Sequence, residues 1–86
     1  MFFVYILQSK TSDKYYTGST SDLRDRIIRH NENREKSTKG RGPWKLVYQE
    51  EYGTKSEAIK REYEIKKMKS KKYIQELIGK GKSTPM

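Results

Sequence analysis

The start of the chain has the residue pattern of two short β-strands. Residues 2–8 (Phe-Phe-Val-Tyr-Ile-Leu-Gln) and residues 14–18 (Lys-Tyr-Tyr-Thr-Gly) are rich in strand-forming residues, and a polar segment from Ser9 to Asp13 separates them. Two strands this close in sequence pair as an antiparallel hairpin. The hairpin would place Tyr5 across from Tyr15 and Tyr16, so we expect at least one cross-strand pair of phenol rings.

A helix is predicted after the hairpin, and its apolar face carries ionisable side chains. The segment Ser19-Thr20-Ser21-Asp22 offers N-cap residues, which predicts a helix from about residue 21 to residue 31. Leu23, Arg26, Ile27 and His30 recur at the spacing of one helical face. A buried charge costs several kcal/mol unless it is paired or bound to a ligand, so Arg26 and His30 are candidate site residues.

The second half of the chain predicts one strand and two helices. Trp44 to Tyr52 has the alternation of a strand, with Trp44, Leu46 and Tyr48 on one face and Trp44 expected to pack rather than to stack on a base. A capping box at residues 54–57 begins a helix that runs to about residue 69. A last helix is expected over about residues 70–78, where Gly79 would end it. Residues 31–42 are predicted to form a mobile basic loop.

The order of these elements, ββαβαα, excludes an all-parallel wound sheet. It predicts an α/β fold in which helices cover a small antiparallel sheet, with one domain over residues 1–79 and a disordered tail over residues 80–86. The longer helix again carries a charge on its apolar face, because Glu62 lies among Ala58, Ile65 and Met68. A carboxylate facing the same cleft as Arg26 could bind a divalent cation such as Mg²⁺.

Composition indicates a small domain with an anionic partner. Of 86 residues, 36% are charged, and 20 Lys plus Arg against 11 Asp plus Glu give a net charge of +9. Such an excess favours phosphates, because Lys and Arg gain affinity by releasing condensed counterions. Without cysteine there is no disulfide, and the apolar N-terminal run is too short for a signal segment. We therefore expect a cytoplasmic protein that uses neither a membrane nor a small-molecule cofactor.

Two groups of basic residues are candidates for contact with a phosphate backbone. The first is Lys36, Lys39, Arg41 and Lys45, and the second is Lys60, Arg61, Lys66, Lys67, Lys69, Lys71 and Lys72. Gly18 is a separate signal, because a glycine within a strand often marks the close approach of another backbone or of a ligand.

Five features in this order resemble the GIY-YIG nuclease family, in particular its small single-domain bacterial members. They are the tripeptide Phe3-Val4-Tyr5, the tripeptide Tyr16-Thr17-Gly18 with ten residues between the two, then Arg26, His30 and Glu62. The resemblance covers about residues 2–78. Phe3 replaces a glycine of the family pattern and Thr17 an isoleucine. Many catalytic members also have an asparagine near the end of the domain, whereas Asn31 and Asn33 are the only asparagines here.

The resemblance implies a three-stranded antiparallel sheet flanked by helices and a metal-dependent endonuclease that hydrolyses DNA. Glu62 would hold one Mg²⁺ or Mn²⁺, and Arg26 would stabilise charge on the phosphoryl oxygens. Either Tyr5 or Tyr16 would take a proton from the attacking water with help from His30. The substrate would be branched or single-stranded DNA in repair, recombination or processing, with a protein partner for targeting.

Two alternatives to an active nuclease stay open at this point. One is a nucleic-acid-binding module without catalysis that acts with a partner, which the missing asparagine favours. The other is an RNA-associated accessory protein whose strand aromatics stack on bases.

Overall fold

A central strand with neighbours on both sides forms the sheet. The computed structural model describes residues 1–36 and 38–82. Strand β1 (Phe2–Ser9) pairs antiparallel with β2 (Tyr15–Thr20) and with β3 (Trp44–Tyr52), in the order β2-β1-β3. The predicted hairpin and antiparallel sheet are confirmed. Because β1 is covered on both faces, its residues from Val4 to Leu7 are fully buried.

Three helices complete the order ββαβαα that the sequence predicted: α1 (Leu23–Asn31), α2 (Lys55–Met68) and α3 (Lys71–Lys82). The side chain of Asp22 caps α1 by accepting from the Asp25 amide at 3.0 Å. Thr54 caps α2 in the same way, with the Glu57 amide at 3.2 Å. None of the helices within residues 1–36 and 38–82 has the length and apolar character to span a membrane.

The helices lie on opposite faces of the sheet and form two apolar clusters. On one face α2 and α3 pack Ala58, Ile65 and Leu77 against β1 residues Val4 and Ile6. On the other face β1 and β3 contribute Tyr5, Leu7 and Trp44, and the α1 residues Leu23 and Ile27 pack against them. Trp44 therefore packs within the protein, as expected. Met68, predicted on the buried stripe of α2, is instead 53% exposed, so Ala58 and Ile65 form that stripe around Glu62.

A β-bulge in β3 changes which residues share a face. Ile6 pairs with Tyr48 whereas the next residue, Leu7, pairs with Leu46, so Val47 is the additional residue. Leu46 packs in the cluster under α1, and Tyr48 packs in the cluster under α2 and α3. The prediction that Trp44, Leu46 and Tyr48 share one face is therefore wrong at Tyr48, because one extra residue reverses the alternation.

The end of the last helix also differs from the prediction. A glycine ends a helix when it adopts a left-handed conformation, but Gly79 has no positive φ and α3 continues through it to Lys82. Residues 80–82 of the predicted disordered tail are therefore helical. Residues 83–86 of that tail lie outside the described residues.

An internal ion pair fastens α2 to the sheet. Arg61 donates from Nε and Nη2 to the two carboxylate oxygens of Glu50, at 2.9 and 3.1 Å, and Tyr48 and Tyr52 also donate to that carboxylate. Burial would raise the pKa of Glu50, but the hydrogen bonds from Arg61 and the two phenols outweigh it and lower the pKa. Arg61, predicted in a basic surface cluster, thus serves the fold.

Candidate active site

The centre of the site is a buried pair of ring side chains, one from the sheet and one from α1. Tyr5 and His30 are both fully buried, and the Tyr5 hydroxyl lies 3.0 Å from His30 Nε2. Gly18 pairs with Tyr5 across the hairpin, and a Cβ at Gly18 would come within 2.5 Å of the Tyr5 hydroxyl oxygen. The group that approaches Gly18 is therefore the Tyr5 phenol, which explains why this strand position has no side chain.

A chain of hydrogen bonds fixes the proton positions on this pair. The Thr38 hydroxyl donates to the Glu35 carbonyl at 3.4 Å, and the same oxygen lies 2.7 Å from His30 Nδ1. Thr38 therefore accepts from the Nδ1–H group, which leaves Nε2 as a lone pair that accepts from Tyr5. Burial lowers the pKa of His30, so the imidazole is neutral. Burial and then the neighbouring Tyr16 raise the pKa of Tyr5, so its phenol keeps its proton.

Tyr16 lies beside the same pair, closer to the surface. Its ring centroid is 4.9 Å from the His30 ring and 6.4 Å from the Tyr5 ring, which is the phenol pair expected across the hairpin. The Lys66 ammonium lies 5.8 Å from the Tyr16 ring centroid. The ring of Tyr15 belongs to the opposite face, where it packs against the cluster under α2 and α3. The structure thus separates the two adjacent tyrosines of β2.

Ser19, near the end of β2, lines one cavity with Arg26 and contacts Glu62, although these two residues come from helices on opposite faces of the sheet. Arg26 lines a cavity of about 200 Å³ together with Ser19 and Ala58, and its charge opposes the rise in the Tyr5 pKa. Glu62 is partly buried, and its Oε1 accepts from the Ser19 hydroxyl at 2.6 Å. Ser19 therefore connects the carboxylate of α2 to the cavity that Arg26 lines.

A cation already lies against the other oxygen of Glu62. The Lys66 ammonium is 2.6 Å from Oε2, one helical turn along α2. Among residues 1–36 and 38–82 no group of three or more His, Cys, Asp or Glu side chains could hold a metal. One carboxylate beside a hydroxyl still fits a Mg²⁺-like ion, which keeps several waters and binds through one or two carboxylates and a substrate phosphate.

All of the predicted basic residues except Arg61 are exposed. The exposed ones are Lys36, Lys39, Arg41, Lys45, Lys60, Lys66, Lys67, Lys69, Lys71 and Lys72. The loop that carries Lys36, Lys39 and Arg41 is hydrogen-bonded to the sheet: Ser9 donates to the Arg41 carbonyl at 2.6 Å, and the Trp44 indole donates to the Thr38 carbonyl at 3.2 Å. The remaining motif residues Phe3, Val4 and Thr17 lie within β1 and β2 with low or intermediate exposure.

Sequence reasoning missed three residues that position this site. Thr38 orients His30, Ser19 binds Glu62, and Asn31 holds β3 by accepting from the Trp44 amide at 2.6 Å and donating to the Trp44 carbonyl at 3.2 Å. The sequence around Ser19 indicates only a helix cap, a role that Asp22 fills. No sequence pattern predicts the contact of Thr38 with His30, because an irregular loop separates the two residues.

Comparison with known proteins identifies the family of this chain. The family described as the GIY-YIG catalytic domain matches residues 1–74. The chain belongs to the GIY-YIG family. The tripeptides that carry this family's name are the strand segments that bring Tyr5 and Tyr16 together, and the family is a nuclease superfamily.

Similar GIY-YIG proteins occur in several bacteria. UPF0213 protein SSP2268 of Staphylococcus saprophyticus is 48% identical over 80 residues, which cover 92% of this chain and 95% of that protein. A UPF0213 protein of Staphylococcus aureus is 56% identical over 66 residues, covering 74% and 78%. The solution NMR structure of UPF0213 protein BH0048 from Bacillus halodurans is similar with a TM-score of 0.59 and 39% identity, over 94% of this chain and 87% of that one.

Proposed function

We propose that this GIY-YIG chain is a metal-dependent endonuclease that hydrolyses DNA phosphodiester bonds. The observation that carries the proposal is the hydrogen bond from the Tyr5 phenol to a neutral, buried imidazole. A phenol is a weak base at neutral pH because its own proton leaves only near pH 10, and a hydrogen-bonded acceptor provides a place for that proton to go. The charge of Arg26 acts on the Tyr5 phenol, and Ser19 connects Glu62 to the cavity that Arg26 lines.

The proton path is assigned to Tyr5 rather than Tyr16. As the attacking water gives its proton to the Tyr5 oxygen, the phenol proton passes to His30 Nε2, and the ring becomes an imidazolium that still donates from Nδ1 to Thr38. Tyr16 has no such acceptor among the described hydrogen bonds, and its partly buried ring would border the substrate instead. Tyr5→Phe should therefore reduce cleavage more than Tyr16→Phe.

Arg26 and Glu62 would stabilise the charge that develops in the transition state. The Arg26 guanidinium would bind the phosphoryl oxygens, where its fork geometry suits two oxygens at once. Glu62 would hold a divalent cation, Mg²⁺ or Mn²⁺, whose charge stabilises the leaving oxygen. For this to happen, the Lys66 ammonium must leave Oε2, and its half-exposed side chain is free to turn outward. The process served would be repair, recombination or processing of DNA in the cytoplasm, with a protein partner for targeting.

The test is cleavage by the purified protein of plasmid, flap, fork and single-stranded DNA, with Mg²⁺, with Mn²⁺ and with chelator. We expect metal-dependent products that are absent from Arg26→Ala and Glu62→Gln, while both variants still bind DNA through the surface lysines. Matched controls are Arg24→Ala and Glu64→Gln, exposed residues on the same helices. Cleavage that continued undiminished in Arg26→Ala and Glu62→Gln would contradict the proposal.

One observation favours a second function, a nucleic-acid-binding module without catalysis. Both oxygens of Glu62 have protein partners, Ser19 and Lys66, so the carboxylate is satisfied without a metal. This alternative predicts DNA binding of equal strength in chelator and in Mn²⁺, with no product from any of the substrates.

A further inference from the structure

A groove next to the candidate active site has the chemistry of a nucleotide-binding site. It lies between β2, the end of α2 and the start of α3, and has a volume of about 270 Å³. We call it the β2–α3 groove; its principal lining residues are Lys14, Tyr15, Ile65, Lys66, Lys71 and Ile74. None of the roles proposed above for Tyr5, Arg26, His30 and Glu62 uses it.

The rim of the β2–α3 groove is strongly basic. Four lysines line it, Lys14, Lys66, Lys69 and Lys71, against the single carboxylate of Asp13. All four are exposed, so their ammonium groups can reach a ligand, and Lys66 also forms an ion pair with the partly buried Glu62. The excess of positive charge around so small an opening favours an anion such as a phosphate.

The floor of the groove is apolar and aromatic. The side chains of Tyr15, Ile65 and Ile74 form it, and the Lys71 ammonium lies 6.0 Å from the Tyr15 ring centroid. A simple phosphate would use only the lysines and leave this floor bare. A nucleobase attached to its phosphate uses both, because the base packs on the ring and the backbone lies along the lysines.

The β2–α3 groove is continuous with the candidate active site through Lys66. This residue lines the groove, contacts Glu62 at 2.6 Å and lies 5.8 Å from the Tyr16 ring centroid. Thr17, a second lining residue, follows Tyr16 directly along β2. A strand whose base occupies the groove would therefore pass Glu62 within the length of a nucleotide or two.

We propose that the β2–α3 groove binds one unpaired nucleotide of a DNA strand next to the phosphate that is cleaved. A base within a duplex is stacked on both faces, so its ring cannot lie on Tyr15 unless the strand is single at that point. The substrate then carries a single-stranded segment beside the cut. The position of the groove next to a cleaved phosphate rests on the proposed function, whereas binding of the unpaired nucleotide does not require cleavage.

The decisive measurement is binding in chelator, where no cleavage occurs, of single-stranded oligothymidine and of a blunt duplex of equal length. Tyr15→Leu keeps the apolar packing and removes the aromatic face. We expect it to weaken single-strand binding by about 10-fold and to leave duplex binding within about two-fold. The matched control is Tyr63→Leu, at a tyrosine of α2 that is 66% exposed and outside the groove.

A second variant keeps the test valid if Tyr15→Leu does not fold. Lys69→Met with Lys71→Met changes exposed positions only, and it should lower the salt dependence of single-strand binding by about 0.7 per lost contact. Equal losses for single strand and duplex, or no loss in either variant, would overturn the groove assignment. A selective loss of single-strand binding in a protein that cleaves nothing would support the groove and count against the nuclease.

Discussion

At the scale of single residues, the His30 tautomer depends on one hydroxyl group. Thr38 is fully buried and accepts from His30 Nδ1, so Thr38→Val removes that acceptor while keeping the shape of the side chain. An unsatisfied buried donor costs about 1–3 kcal/mol, and the ring is then free to place its proton on Nε2. We expect a lower free energy of unfolding by urea denaturation and a changed tautomer by ¹⁵N NMR of the imidazole.

A matched control for this substitution is Thr17→Val, at a second buried threonine, which lies on β2. It should leave the His30 tautomer unchanged. A wild-type tautomer in Thr38→Val would show that the ring is oriented by Tyr5 alone and would remove Thr38 from the site.

The depressed pKa of His30 predicts how stability changes with pH. Burial lowers the pKa in the folded protein below the ordinary value of 6.5, so the unfolded chain takes up a proton first as the pH falls. Stability is therefore fully present above that ordinary value and is lost below it, by at most about 1.4 kcal/mol per pH unit. Urea denaturation from about pH 7 to about pH 5 should show this loss, and His30→Gln should reduce it. The same slope in both proteins would contradict the prediction.

At the scale of elements, the end of α1 determines where β3 begins. Asn31, the last residue of α1, bonds both the amide and the carbonyl of Trp44, the first residue of β3. Asn31→Ala should lower the free energy of unfolding by about 1–3 kcal/mol, since it leaves two backbone groups unpaired. Asn31→Asp keeps the acceptor for the Trp44 amide and should lose less, by urea denaturation. Equal losses in Asn31→Ala and Asn31→Asp would show that the hydrogen bond from the Trp44 amide contributes little.

The sequence predicts where the helices and strands lie but not every detail of how the strands pair. Strands and helices were placed to within a few residues, because alternation, caps and apolar spacing are local properties. The bulge at Val47 was not predictable, since it exists only in the pairing of β3 with β1. Gly79 has the composition of a helix end but not the backbone conformation.

The candidate site was predictable only in part for the same reason. Arg26, His30 and Glu62 stood out because each places an ionisable group on an apolar helix face. Thr38 and Ser19 are ordinary polar residues in sequence, and their roles come from contacts over 8 and 43 positions of chain. The β2–α3 groove was not predictable either, because it forms only where β2 lies next to the end of α2 and the start of α3.

At the scale of the whole molecule, the two basic surfaces lie at the same end of the sheet. Lys45, the second residue of β3, lies beside the end of β1, and the β2–α3 groove lies beside Tyr15, where β2 begins. The loop surface, Lys36, Lys39 and Arg41, follows α1, whereas Lys67 lies in the last turn of α2 and Lys69 directly after it, on the other face. One DNA that contacted both surfaces would pass around this end of the sheet.

Salt-dependent binding distinguishes one continuous DNA path from two separate sites. If one DNA contacts both surfaces, Lys36→Gln with Lys39→Gln and Lys67→Gln with Lys69→Gln each lower affinity, and their losses in log K add when combined. If the surfaces bind independently, either pair alone changes affinity little, because the other site still binds. We expect additive losses by fluorescence anisotropy, with the magnitude of the salt slope reduced by about 0.9 for each duplex phosphate contact removed. The control pair Arg24→Gln with Lys55→Gln, exposed on α1 and α2, removes as much charge elsewhere, so it separates a defined path from net charge alone.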